Sequence, residues 1–269
     1  MNFKKYACND VCIIVPTHNS EDTIEKVLSE ALKVTRKIIV VDSSTDNTIG
    51  KIKKFRTVRI FRELPGKSNQ IRRGLKEALT LNVQYMAFLD DDGEKTAKDV
   101  PKMIKKLLEE DADICIGIRE KMRSTSRAIL NKIARFWINF VTGFKLKDPM
   151  SGAIVGKKSA LQNLQITTNE YETEVEIILE SFAKGFKITE CEITTPSIHE
   201  SGLKPKHVLK INNFFDLWIL KKIHKLKIPT WKKIALFFCC FFGLITGSFL
   251  LLVVSSAEFF HSYFLNINK

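Results

Sequence analysis

The 269-residue sequence predicts a mainly parallel α/β domain followed by amphipathic helices and one C-terminal membrane span. Three observations predict it. Short runs that are apolar along their whole length alternate with stretches of helical spacing, the pattern of strands buried on both faces and joined by crossover helices. Several of these runs end in polar or acidic residues, and in such sheets ligands bind at the carboxyl ends of strands. Near the C-terminus, Ile234–Val254 (IALFFCCFFGLITGSFLLLVV) carries no charge over about the 20 residues needed to cross a hydrocarbon core. A hydrophobic fraction of 45% with 27% charged residues excludes disordered and collagen-like classes, and the length suits one sizeable domain plus an appendage.

Taken in order, VCIIVP (11–16) is the first strand and Thr17–Val34 the first helix. KIIVVD (37–42) follows, then a short helix near Asn47–Lys54 and a strand TVRIF (57–61). A basic helix over Lys67–Leu81 leads to YMAFLD (85–90), a helix over Ala97–Glu110 and the strand DICIGI (113–118). Ser124–Phe144 differs: Ile129, Ile133, Phe136, Trp137, Phe140 and Phe144 recur at helical spacing with Arg127 and Arg135 on the flank. Val208–Ile228 repeats the theme, with Trp218 and Phe residues opposing lysines, and reads as a helix lying in a membrane interface.

The chain carries 43 Lys+Arg against 30 Asp+Glu, a net charge of +13 that favours anionic partners. Nine lysines fall between Lys204 and Lys233 against the single acid Asp216, and only Lys269 is basic beyond the apolar segment. The positive-inside rule therefore puts residues 1–233 in the cytoplasm and a short tail on the far side. This gives a soluble domain over 1–205, a basic interfacial region over 206–233, a span over 234–255 and a tail over 256–269. Lysines gathered beside a span, not on a groove-sized patch, argue against nucleic acid. The N-terminus has no signal-peptide run, and the six cysteines have no metal-site or disulfide spacing, which fits a reduced compartment. Gly243 and Gly247 form a G-x-x-x-G in the span, the pattern of a homo-oligomer face.

The strand-end carboxylates carry the chemistry. Asp90, Asp91, Asp92 and Glu94 follow an apolar strand, and closely spaced carboxylates repel one another unless a cation sits among them. Hard oxygen ligands suit Mg2+ or Mn2+ bridging to a substrate diphosphate; the plainer alternative is a solvated acidic turn. Asp42 lies in the same row and could accept hydrogen bonds from a base or ribose. Lys67, Arg72 and Arg73 on the intervening helix add cations that seek phosphate.

VCIIVPTHNSEDTIEKVL, IIVVDSSTDNT, GKSNQIRRGL, AFLDDDGE and DPMSG, in this order and spacing over about residues 10–205, resemble the family-2 inverting glycosyltransferases, and within them the polyprenyl-phosphate sugar transferases. The resemblance implies a Rossmann-like nucleotide-sugar transferase fold of GT-A type. It implies that Pro16, Thr17, His18 and Asn19 hold the nucleotide base and that Asp42 contacts the nucleoside. Asp90 and Asp92 then bind the metal and diphosphate, with Glu94 as a further ligand and Asp91 beside them. Arg119 and Arg127 match the arginines that meet the phosphates of acceptor and donor, and with Asp90 and Asp92 they make up the implied catalytic set. Ser151 and Gly152 fall in the element near the donor sugar, and Lys204 resembles a basic element that closes the motif series. Two positions depart from the family pattern: its usual G-K-G reads Gly66-Lys67-Ser68, and Ile154 stands where an Arg is frequent.

The chemistry of the acceptor agrees. A hydroxyl acceptor needs a general base within hydrogen-bond reach, for which Glu174 and Glu176 are the candidates, although an exposed helix face is the plainer reading of both. A lipid monophosphate, with a second pKa of about 6, is already ionised and needs only positioning and charge compensation, which Arg119, Arg123 and Arg127 could supply. The expectation is transfer of one hexose from GDP-mannose or a UDP-hexose to polyprenyl or dolichyl phosphate with inversion. Two other readings stand beside it: transfer to a glycolipid or other hydroxyl, and an inactive, membrane-tethered nucleotide-sugar-binding scaffold.

Overall fold

The computed structural model describes residues 10–120, 125–170, 172–195 and 205–241. The chain divides into two compact units, Met1–Glu200 and Ser201–Lys269.

The first unit is built on one seven-stranded sheet of order β3-β2-β1-β4-β6-β5-β7. Its strands are β1 (Val11–Thr17), β2 (Ile38–Asp42), β3 (Arg59–Arg62), β4 (Tyr85–Phe88), β5 (Ile114–Arg119), β6 (Ile154–Lys157) and β7 (Ile188–Ile193). β1 and β2 are buried at every position, as runs of Val and Ile covered on both faces must be. β1, β2, β3 and β4 pair in parallel, as do β5 and β7, while β6 runs antiparallel to both β4 and β5. The expected mainly parallel sheet is present, with two strands, β6 and β7, beyond those expected.

The helices are α1 (Ile24–Ala31), α2 (Thr48–Ile52), α3 (Lys67–Leu79), α4 (Val100–Glu109), α5 (Thr125–Thr142), α6 (Lys158–Leu161) and α7 (Thr173–Lys184). Ile24, Val27, Leu28 and Ala31 of α1 and Val100, Met103, Ile104 and Leu107 of α4 join the strand residues in the main core. Each large apolar side chain among them contributes about 1.5–3 kcal/mol by leaving water. On α3, Ile71, Gly74, Leu75 and Ala78 are buried, and a Cβ at Gly74 would overlap Ile14 Cγ2, so helix and sheet approach closely there.

α1 begins at Ile24 instead of Thr17. Thr17 is still in β1, registered against Asp42, and Asn19 takes the left-handed conformation (φ 51) that ends the strand in a loop. The same registers align the site: Thr17 faces Asp42, Asp42 faces Arg62, and β6 starts at Ile154 opposite Phe88, where β4 ends.

In the second unit α8 spans Pro205–Lys222, shifted from the expected 208–228, and residues 230–241 are helical. Among the described residues no helix is long and apolar enough to cross a membrane. Most of the expected span 234–255, including Gly243 and Gly247, lies outside them.

Candidate active site

The carboxyl ends of β1 and β2 form a polar seam, buried at Thr17, Asp42, Ser43 and Ser44 and exposed at His18, Asn19 and Thr45. Asp42 is fully buried and accepts from the Ser44 amide (3.1 Å), the Ser44 hydroxyl (2.6 Å) and the Arg62 guanidinium. His18 Nδ1 lies 3.0 Å from Ser43 Oγ; the Asn19 amide donates to Ser44 Oγ (2.8 Å), and its Oδ1 accepts from the Thr45 amide (2.9 Å). Of the four residues expected in a base-holding loop, only His18 and Asn19 are in it. Pro16 and Thr17 are buried strand residues of β1, paired with Val41 and Asp42 of β2. Gln70, which the motif reading passed over, donates through Nε2 to Thr17 O (2.6 Å) and Val41 O (3.0 Å) and so clamps the two strand ends together. Its signal was a polar residue between Ser68 and Ile71 on the inward face of α3.

At the end of β4 the carboxylates part company. Asp90 is gripped by two ammonium groups, Lys67 Nζ at 2.7 Å from Oδ1 and Lys95 Nζ on Oδ2. Burial alone would raise its pKa, but Lys67 and Lys95 outweigh burial and hold the carboxyl well below the usual carboxylate range. Lys67 reaches back to Glu174 Oε1 at 2.6 Å; burial opposes its charge, and Asp90 and Glu174 together raise its pKa above the ordinary lysine value. Asp91 accepts instead from the His18 amide (3.0 Å) and the Ser20 hydroxyl, tying down the loop after β1, and burial pushes its carboxyl up to about 6. Asp92 Oδ1 accepts from the Glu94 amide at 2.9 Å, and Glu94 itself is buried. Gly152 sits against this cluster with φ 74: a Cβ there would lie 2.8 Å from Asp90 Oδ2 and 3.1 Å from Glu174 Oε1. Ser151 is buried, and its Oγ has no hydrogen-bond partner among the described residues.

Arg119, at the end of β5, is buried in a two-point pair with Asp148, Nε to Oδ2 and Nη2 to Oδ1 both at 2.8 Å. Glu190 fixes Asp148 in turn by accepting from its amide at 2.9 Å. Burial opposes the Arg119 charge, but Asp148, with Asp90 and Glu174 adding their fields, carries its pKa above the ordinary value. Arg127 lies on α5, with its side chain outside the described residues, as are Arg123 and Lys204. Two other expectations are corrected. Arg72 donates to Ile166 O at 3.3 Å and to Thr168 O, and Arg73 pairs with Glu77 at 3.1 Å over the Phe61 ring, so both are spent on packing α3. Glu174 and Glu176 are buried, not exposed; Glu176 accepts from the amides and hydroxyls of Thr167 and Thr168, which leaves it no reach toward a substrate.

Residues 12–164 match the Glycosyl transferase family 2 domain. The chain belongs to glycosyltransferase family 2. The UDP-N-acetylglucosamine–dolichyl-phosphate N-acetylglucosaminyltransferase of Methanococcus voltae is 25% identical over 240 residues, covering 78% of this chain and 96% of that one. The dolichol-phosphate mannosyltransferase of Pyrococcus furiosus is 26% identical over 225 residues, covering 74% of this chain and 61% of that one. Among solved structures, glucosyl-3-phosphoglycerate synthase of Mycobacterium tuberculosis, crystallised with Mn2+, UDP-glucose and phosphoglyceric acid, superposes with a TM-score of 0.67 at 17% identity over 84% of this chain and 83% of that one. The fold is the GT-A fold, and the protein is a family-2 glycosyltransferase with polyprenyl-phosphate sugar transferases among its relatives.

That fold implies a divalent metal, and the donor set fits one in a particular way. Among the described residues no three Asp, Glu, His or Cys side chains stand close enough to hold an ion, so Asp90, Asp92 and Glu94 are not a ready cage. Asp90 is turned onto two lysines and Asp92 onto a backbone amide. Mg2+ and Mn2+, however, are usually bound through one or two carboxylates plus substrate phosphates. Asp90 already carries two ammoniums, so an ion held there would have to replace at least one of them.

Proposed function

We propose that this family-2 glycosyltransferase moves a single hexose from a nucleotide-sugar donor, GDP-mannose or a UDP-hexose, to polyprenyl or dolichyl phosphate with inversion at the anomeric carbon. The observation that carries the reading is the convergence of the half-buried Lys67 and the buried Lys95 and Arg119 around Asp90 and Glu174 at the carboxyl edge of the sheet. In the free protein these cations are matched by Asp90, Glu174 and Asp148, and an incoming diphosphate and an already ionised monophosphate would take the place of those partners. The relatives that act on dolichyl phosphate support the acceptor.

In this reading Asp42 and the His18–Asn19 loop receive the nucleoside, and Lys67 offers its ammonium to the diphosphate. Ser151, whose hydroxyl has no partner among the described residues, and Gly152 line the sugar position. Arg119 and Arg127 orient the acceptor phosphate, whose own oxygen attacks without a protein base, and Lys204 adds a further cation. Asp90 and Asp92 would hold Mg2+ or Mn2+, which supplies charge neutralisation for the departing nucleoside diphosphate. Residues 1–205 form the catalytic domain on the cytoplasmic face. The region 206–233 lies in the interface, 234–255 spans the membrane and 256–269 emerges beyond it, with Gly243 and Gly247 facing a second copy. The exposed Trp231, Ile234, Phe237, Phe238 and Phe241 support this membrane attachment.

The test is a transfer assay on detergent-solubilised protein with polyprenyl phosphate, Mn2+ or Mg2+, and labelled GDP-mannose, UDP-glucose and UDP-N-acetylglucosamine in parallel. Label should enter the organic phase with one donor, and Asp92→Ala and EDTA should each abolish it. Donor binding without lipid product in every arm would overturn the acceptor. A second reading rests on Glu174, a buried carboxylate beside Asp90 that could serve as base for a hydroxyl acceptor. Loss of transfer in Glu174→Gln together with near-normal transfer in Arg127→Ala would favour that reading.

A further inference from the structure

Lys95 belongs to the cations gathered at the site, yet no motif assigns it and the proposed reaction gives it no role of its own. It follows the acidic cluster in sequence, yet its side chain is 3% exposed and its ammonium is seated on Asp90 Oδ2. The two lysines on Asp90 are not equivalent. Lys67 shares its charge with Glu174 at 2.6 Å, so it can leave Asp90 and keep a carboxylate partner. Among the described residues Lys95 pairs with Asp90 alone. An ammonium buried without a counter-charge is strongly disfavoured, so Lys95 holds its place until another anion reaches it.

Building on the metal and donor site proposed above, we propose that Lys95 is a built-in competitor of the divalent cation at Asp90 and makes metal and nucleotide binding mutually dependent. A cation approaching Asp90 in the empty site meets the charge of Lys95 at close range and must displace it with nowhere for it to go. A nucleoside diphosphate brings the anion that Lys95 needs, so the donor and the metal enter together. Linkage requires the effect to be reciprocal, each ligand tightening the other by the same factor.

Mn2+ binding by the full chain in detergent, read as loss of the free Mn2+ electron paramagnetic resonance signal, tests this without any turnover. Wild type should bind Mn2+ weakly alone and much more tightly with UDP or GDP. Lys95→Met should bind Mn2+ alone at least roughly tenfold more tightly, and the enhancement by nucleotide should shrink by the same factor. Lys95→Gln carries the comparison if Lys95→Met does not fold. Lys98→Met, removing an exposed lysine three residues on, should leave the affinity unchanged. Mn2+ affinity in the Lys95 variants no higher than in wild type, or an equal gain in Lys98→Met, overturns the role of Lys95 while leaving the metal site standing. No Mn2+ uptake by any variant even with nucleotide overturns both the competition and the metal assignment.

Discussion

Gly152 shows how little room the site leaves. Its φ of 74, and the 2.8 Å that would separate a Cβ from Asp90 Oδ2, mean that any side chain would be both strained and pressed onto the carboxylate. Gly152→Ala is therefore expected to lose transfer by about tenfold or more through displacement of Asp90, with thermal unfolding moved far less than activity. Arg119 and Asp148 make a second case, a buried pair that fixes the guanidinium at the end of β5. Asp148→Asn leaves the arginine buried without its counter-ion and should cost about 3–5 kcal/mol in urea unfolding. The place of the acidic strand end was legible because three consecutive aspartates follow an apolar run, whereas the lysines that hold Asp90 were not. Lys95 was not legible, because one lysine among 43 Lys+Arg looks like solvated surface until its direction is known. Glu176 misled for the same reason: an acid at helical spacing gives no sign that Thr167 and Thr168 will enclose it.

At the scale of elements, uniform burial is what sequence displays best. β1, β2, β4 and β5 announced themselves as apolar runs, whereas β6 is four residues ending in Gly-Lys and β7 (ITECEI) interleaves polar residues as an edge strand does. The start of α1 was hidden because residues 17–23 (THNSEDT) are all polar and offer no spacing from which to read a boundary, while only the register shows that Thr17 belongs to β1. The close seating of α3 on β1 leads to a prediction: Gly74→Ala forces a methyl against Ile14 and should destabilise by about 1–3 kcal/mol, seen as a lower urea midpoint at unchanged slope. In α8, burial pushes the Asp216 carboxyl up to about 6. An acid whose folded pKa lies above its unfolded value, about 4, stabilises fully below the latter and loses that contribution as pH rises through the former. Helicity of the detergent-held chain against denaturant should thus weaken between about pH 4 and 7, and Asp216→Asn should flatten that window.

For the whole molecule, the +13 charge and its concentration before residue 234 predict a salt-sensitive attachment once the apolar segment is gone. The full chain should sediment with vesicles rich in anionic lipid in any buffer. A chain ending at Lys233 should sediment with them at low salt and be released at about 0.5 M, where charges are screened within a few ångströms. Release of the full chain under the same conditions would remove the case for a span.

The reversed direction of β6 has a consequence for how such an enzyme changes over generations. A parallel strand would need a crossover to bring its leading residues to the ligand edge, but β6 arrives from that edge, so residues 151–153 are delivered there directly by the connection from α5. Within the stretch between Gly143 and Ala153, Asp148 is pinned by Arg119 and Gly152 by Asp90, but the three residues between those two can exchange without shifting the register of the neighbouring strands. Substrate preference is free to drift in that stretch, while Asp42, Asp90 and the clamp at Gln70 remain under a common constraint.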